Sequence, residues 1–230
     1  MFSTKPISST FIYFSPYLYS MKPALIFDMD GVLVDSMHLH AAAWKVAFSE
    51  AGIIISPESI FRLEGANDRG IVENILYEKG ISGSFEFFSS IVVRKQAHFN
   101  VGDIKPFPGI NDYLELLSSN YLLAVVSGSD RNAVDGILGR HFGVNFDAVV
   151  SGDDIVNGKP NPDPYLKALE CLGTDSDNCI VFENAPYGVE AAKRAGIYCV
   201  GVPTYVDREM LRMADEVLKD HLSLLTYLQH

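Results

Sequence analysis

Asp28 and Asp30 stand two residues apart in Asp28-Met29-Asp30-Gly31-Val32-Leu33-Val34-Asp35. That spacing lets two carboxylates divide one reaction. One attacks a phosphorus atom and forms an acyl phosphate; the other protonates the leaving oxygen and then activates water. Gly31 lets the backbone pass close to a phosphate. The plain alternatives are an acidic turn after a strand, or a calcium loop. An EF-hand loop needs Gly at its sixth position and Glu at its twelfth. Counted from Asp28, Gly31 comes too early and the twelfth residue is Leu39, so calcium is disfavoured.

Three later segments carry complementary groups. Ser127 ends the apolar run of Val125-Val126-Ser127-Gly128-Ser129-Asp130. A serine hydroxyl with backbone N–H groups at a helix start is a phosphate cradle, to which Gly128 and Ser129 contribute; helix capping by Ser129 is the plain alternative. A serine-hydrolase elbow needs G-x-S-x-G, and Val125 and Arg131 occupy the places of the required glycines. Lys159 lies in Asn157-Gly158-Lys159-Pro160-Asn161-Pro162-Asp163-Pro164. Prolines fix the path there, which suits a positioned charge, and Asp163 is expected to cap the next helix. Glu183 and Asn184, ahead of Ala185-Pro186, offer oxygen ligands to Mg²⁺, or Asn184 caps a helix with Pro186 just inside. A phosphate monoester beside Asp28 and Asp30 meets repulsion of roughly 4 kcal/mol per close charge pair at intermediate dielectric. Mg²⁺ and Lys159 would reverse it and stabilise the transferring phosphoryl group.

These residues need a scaffold that brings them together. Ala24 to Phe27, Leu122 to Ser127, Asp147 to Val150, Cys179 to Phe182 and Tyr198 to Val202 are short apolar runs, each expected to be a buried parallel strand. Helical stretches over Ile110–Leu117, Asn132–Leu138, Asp163–Leu172 and Tyr187–Ala195 alternate with them. The pattern predicts an α/β fold: a Rossmann-like parallel sheet covered on both faces. Ligands of such sheets bind at the carboxyl ends of strands, where all four motifs fall. From Ser36 to about Lys105 the alternation stops. Ser36 is expected to cap a helix through Glu50 with Leu39, Ala43, Val46 and Ala47 as its apolar stripe. Arg69–Lys79 and Phe85–Phe99 read as further helices. The predicted organisation is a core of residues 21–35 plus 106–230, an inserted helical cap over 36–105, and an extension over 1–20 outside the fold. Lys105-Pro106-Phe107-Pro108-Gly109 returns the chain to the core as a linker stiffened by prolines.

Bulk properties narrow the partners. The 230-residue chain carries 18 Lys and Arg against 29 Asp and Glu, a net charge of −11. Nucleic acid and anionic membrane surfaces are therefore excluded as expected partners. Three cysteines with no CxxC pair point away from zinc and disulfides and toward a reduced, cytoplasmic protein. The expected partner is a small phosphorylated metabolite, bound by a monomer or weak homo-oligomer.

Asp28–Ser36, the serine ending Val125-Val126-Ser127, Lys159–Pro164 and Phe182–Gly188 together resemble the four ordered motifs of the haloacid-dehalogenase superfamily, and the helical cap resembles its β-phosphoglucomutase-like branch. The resemblance implies Asp28 as phosphorylated nucleophile and Asp30 as general acid and base. It implies Mg²⁺ held by Asp28, the carbonyl of Asp30 and the Glu183-Asn184 motif, with Ser127 and Lys159 on the phosphoryl oxygens. It places His40 at the start of the cap helix facing the carboxylates, gives Trp44 a structural role, and makes Leu63-Glu64-Gly65-Ala66-Asn67-Asp68-Arg69 the specificity loop, with Gly65 and Arg69 toward substrate. This sequence departs from the branch by having Glu-Asn where Glu-Asp is usual, leaving either Glu183 or Asn184 as the direct metal ligand. It also has Glu64 where the mutases carry a lysine, which puts phosphatase ahead of mutase. A non-catalytic binding module of the same fold is the reading from a different class.

Overall fold

The computed structural model describes residues 22–63 and 65–229. The expected extension over residues 1–20, and Glu64, lie outside the described residues. The core is one six-stranded, wholly parallel sheet of β1 (Ala24–Asp28), β4 (Leu122–Val126), β5 (Ala148–Val150), β6 (Cys179–Glu183), β7 (Tyr198–Gly201) and β8 (Glu216–Val217), in spatial order β5-β4-β1-β6-β7-β8. Alternate residues of β1 face opposite layers. Leu25 and Phe27 join one buried cluster, Ala24 and Ile26 the other, which is why the run is apolar without a break. Helices α5 (Ile110–Ser118), α6 (Arg131–His141), α7 (Asp163–Leu172) and α8 (Pro186–Arg194) connect the strands, and α9 (Leu222–Tyr227) follows β8. From β1 the sheet grows outward through β4 and β5, then reverses to β6, β7 and β8 on the other side. That reversal opens a crevice above the carboxyl end of β1.

The segment after β1 leaves and re-enters the core through a two-stranded antiparallel neck, β2 (Val34–Asp35) with β3 (Lys105–Pro106). The returning prolines are thus a paired strand and its continuation, where a stiff linker was expected. Between the neck strands lie α1 (Met37–Glu50), α2 (Pro57–Arg62), α3 (Asp68–Glu78) and α4 (Phe85–His98), an inserted helical cap with its own core around Trp44, Phe48, Ile60, Val72, Leu76 and Ile91.

Several local expectations are corrected. Ser36 stands at the N-terminus of α1 but its hydroxyl makes no cap bond; it donates to Asp30 Oδ1 at 2.5 Å, since a buried carboxylate is a stronger acceptor than a helix terminus is a donor. Val46 is exposed, and the buried stripe of α1 runs instead through Met37, His40, Ala41, Trp44 and Ala47. Asp130, rather than Ser129, caps α6, by accepting from the N–H of Ala133. Asp163 is the first residue of α7 and accepts from Asn157 Nδ2, with Pro162 in the cap position. Asn184 is not the cap of α8, because Ala185 takes that place. Both α2 and β8 escaped the sequence reading, being too short for their periodicity to register.

Candidate active site

Three strand ends build the site. Asp28 ends β1 in register with Val126 of β4, and Phe27 pairs with Phe182 of β6. Asp28, Ser127 and Glu183 therefore emerge on one edge of the sheet as neighbours. Lys159 arrives from the loop before α7 and supplies the ammonium group. Its Nζ donates to Asp28 Oδ1 at 2.5 Å and to Glu183 Oε1 at 2.6 Å. All three side chains are buried. Burial disfavours the ammonium, yet the charges of Asp28 and Glu183 outweigh it and raise the Lys159 pKa. Burial, with Glu183 and Asp30 adding to it, pushes Asp28 well above the usual carboxylate range against the pull of Lys159. Negative charge exceeds positive charge here, so the centre attracts a further cation.

Glu183 is held from every side. Tyr165 donates its hydroxyl to Oε1 at 2.8 Å and the N–H of Ala185 donates to Oε2 at 3.0 Å. Gly188 leaves room for this carboxylate, since a Cβ there would lie 1.7 Å from Glu183 Oε1. Gly188→Ala is accordingly expected to destabilise the protein by about 3 kcal/mol, the upper end of overpacking costs. The urea midpoint should fall with the slope unchanged; an unchanged midpoint would show that Glu183 has another place to go.

Asp30 sits beside this pair in a different environment. Ser36, His40, Ser127 and Ser129 all point at its carboxylate: Ser36 Oγ at 2.5 Å and His40 Nε2 at 3.0 Å from Oδ1, Ser127 Oγ at 3.1 Å and Ser129 Oγ at 3.4 Å from Oδ2. Burial alone would raise its pKa, but the His40 charge and the hydrogen bonds from His40, Ser36 and Ser127 hold it at about 2. Two carboxylates two residues apart are thus pushed in opposite directions by their different neighbours.

The cap closes over the site. Gly65, with φ of 87°, comes so near Lys159 that a Cβ would stand 3.3 Å from its Cδ. A Cβ on Gly128 would meet the Ala66 carbonyl oxygen at 2.8 Å. His40, Trp44, Gly65, Gly128 and Ser129 line the same small pocket as Asp28 and Asp30. Gly31 is tied into the turn by its N–H to Val34 and by Thr204, whose hydroxyl donates to its carbonyl. Arg69 lies outside this pocket; it is exposed, bonds Glu73 at 2.7 Å and lines the neighbouring cavity. Ser36, Tyr165 and Gly188 were missed by the sequence reading. A polar hydroxyl among the apolar positions of α7 was the available signal for Tyr165; nothing in the sequence marks the partner of Ser36 or the space at Gly188.

Oxygen donors at the same edge of the sheet are the second carboxylate oxygen of Asp28, the Asp30 carbonyl and the Asn184 amide, from a residue wholly buried next to Glu183. Such a set suits a hard divalent cation that keeps some of its waters, and the excess negative charge calls for one. Among the described residues no group of three or more His, Cys, Asp and Glu side chains is arranged for metal; the donor set here mixes carboxylate, carbonyl and amide oxygens and has one charge fewer than an all-carboxylate set.

Residues 25–202 match the family described as haloacid dehalogenase-like hydrolase. The chain belongs to that family. It is a phosphoric monoester hydrolase of it. The Validoxylamine A 7'-phosphate phosphatase of Streptomyces hygroscopicus subsp. limoneus is 30% identical over 87% of this chain and 94% of its own length. The Phosphorylated carbohydrates phosphatase of Thermotoga maritima is 32% identical over 76% of this chain and 82% of its own. Among solved structures, β-phosphoglucomutase from Clostridium difficile superposes with a TM-score of 0.77 at 28% identity, covering 91% of this chain and 96% of the mutase. Among the described residues no helix is long and apolar enough to cross a membrane.

Proposed function

We propose that this phosphatase hydrolyses a small phosphate monoester, a sugar phosphate or a compound of similar size such as phosphoglycolate, through an aspartyl phosphate on Asp28 and with Mg²⁺ as cofactor. The observation that carries the reading is the contact of Lys159 with Asp28 at the strand end, beside Asp30 and the Ser127 hydroxyl that bonds it. Asp28 attacks phosphorus, the bond from phosphorus to the alcohol oxygen breaks, and Asp30 delivers a proton to that oxygen. Asp30, again a carboxylate, then takes a proton from water as the water oxygen attacks phosphorus and frees Asp28. Lys159, Ser127 and the N–H of Ser129 hold the phosphoryl oxygens. An arriving phosphate dianion draws Ser127 away from Asp30 and sets its own negative charge beside it; both raise the proton affinity of Asp30, which takes up a proton from solvent before the first step. Mg²⁺ would be held by Asp28, the Asp30 carbonyl and Asn184, and would supply charge neutralisation for the phosphate. Glu183, with both oxygens engaged by protein donors, serves to hold Lys159. The cap is assigned residues 36–105 and the core residues 21–35 plus 106–230. A cytoplasmic location is supported by the exposed free thiol of Cys171.

A phosphate-release screen over a metabolite panel, with Mg²⁺ and with EDTA, tests the reading; release that EDTA leaves unchanged would remove the metal from it. Asp30→Asn is expected to lower kcat by roughly 10²–10⁴-fold, the usual range for general acid–base catalysis, and an unaffected rate would mean that another group handles the proton. Asn184→Asp is expected to tighten Mg²⁺ binding by roughly tenfold or more through the added charge. Calorimetric titration and the Mg²⁺-dependent rise in Tm report that directly, and equal affinities would place Asn184 away from the ion. Structural likeness to a β-phosphoglucomutase favours phosphoryl transfer between sugar positions as the second reading. Rapid glucose 6-phosphate formation from β-glucose 1-phosphate and a trace of bisphosphate, without free phosphate, would establish it.

A further inference from the structure

The pocket that holds Asp28 and Asp30 has a volume of about 40 Å³. That is room for a few waters or a phosphoryl group and for little else. Next to it lies a cavity of about 440 Å³, and Asp68 and Gly128 line both. The alcohol that carries the phosphate can occupy this adjoining space, so the lining of the larger cavity bears on what kind of alcohol fits.

One wall is apolar, formed by the cap helices α3 and α4. Phe85 and Val93 are 68% and 63% exposed on its rim, and Phe88 and Val92 stand behind them. The floor comes from the loops after β4 and β5 and carries Asp130 and Asp153. Each accepts from a backbone N–H, Ala133 and Arg131 respectively, and among the described residues neither has an ion-pair partner. The one cation on the lining, Arg69, is bonded to Glu73. At the junction, Asp68 Oδ1 takes the buried ammonium of Lys95 at 2.8 Å, while its buried Oδ2 receives no hydrogen bond. A buried carboxylate oxygen without a donor is costly, and a hydroxyl or ammonium of a bound substrate relieves that cost.

We infer that the substrate's alcohol is a ring-shaped polyol bearing a protonated amine and no second phosphate, with its apolar face on α3 and α4 and its cation over Asp130 and Asp153. This rests on the phosphatase reading and names the substrate class of the same site. A second phosphate over that floor meets two uncompensated carboxylates, whereas an amine meets two opposite charges. The ring faces Val93 and Phe85 by its C–H groups, and its hydroxyl nearest the phosphate donates to Asp68 Oδ2.

Glucose 6-phosphate, glucosamine 6-phosphate and glucose 1,6-bisphosphate serve as probes, with kcat and KM measured separately for the full chain. The amino sugar is expected to exceed its neutral parent in kcat/KM by roughly tenfold, through KM, with the bisphosphate the poorest. Asp130→Asn/Asp153→Asn removes both charges while Asn still caps α6, and should bring the ratio of amino to neutral sugar down to about twofold or less. Phe85→Ala and Val93→Ala, both exposed and away from the chemistry, should raise KM for the ring substrates and leave phosphoglycolate unchanged. Phosphate release with equal preference for the two sugars, a ratio that survives the double substitution, or a preferred bisphosphate would overturn the inference and leave the phosphatase reading standing. Release from no ester at all would overturn both.

Discussion

Asp28→Asn is expected to abolish turnover, with kcat down by at least about 10⁴-fold, the scale on which hydrolases lose activity with their nucleophile. The amide keeps the shape of the carboxylate and cannot attack phosphorus. The fold survives the change for a reason visible in the site. Asp28 is the carboxylate that burial, Glu183 and Asp30 make costly to ionise, so removing its charge relieves repulsion. Lys159 retains Glu183 as a partner at 2.6 Å. The Tm of the variant is therefore expected near that of the parent, and acid-quenched parent enzyme should carry a phosphoryl adduct on the peptide containing Asp28 that the variant lacks. Turnover close to the parent rate would remove Asp28 as nucleophile.

Lys159→Met has the largest expected effect on stability. The ammonium is shared by two buried carboxylates, and its loss leaves both without a counter-charge. Breaking a buried pair from one side costs about 3–5 kcal/mol, a fall in Tm on the order of 10 °C for a chain of this size. Activity falls as well, by roughly 10²–10³-fold, because the developing charge on the phosphoryl group loses a fixed cation. Pairing the change with Glu183→Gln separates the two effects. The double variant should regain part of the stability, since one orphaned charge is gone, and none of the rate. A double variant as unstable as Lys159→Met alone would show that Glu183 is not the group that the lysine compensates.

Much of this architecture was legible from the residues. Five of the six core strands follow from short unbroken apolar runs, because a strand buried on both faces of a parallel sheet has no polar side to show. The bounds expected for α7 coincide with the observed Asp163–Leu172. Ser36 illustrates the opposite case. It has the type and position of a helix cap, yet Asp30, six residues earlier, takes its hydroxyl. A cap needs the hydroxyl oxygen to accept from a helix N–H, whereas here the hydroxyl is oriented to donate to a carboxylate whose place only the folded chain defines.

The sequence by itself determined that two carboxylates, a serine and a Glu-Asn pair would stand at strand ends, since those motifs close the apolar runs that must be strands, and that a lysine would stand in a proline-held loop before a helix. Only the tertiary structure decided how they divide the electrostatics. Donors from Ser36, His40, Ser127 and Ser129 converge on Asp30, whereas Asp28 shares one ammonium with Glu183. The pKa of a buried group depends on the charges and donors within a few ångströms. Those neighbours come from the cap, from the ends of β4 and β6 and from the loop before α7, and the contact of Asp28 with Lys159 alone spans 131 positions in the chain.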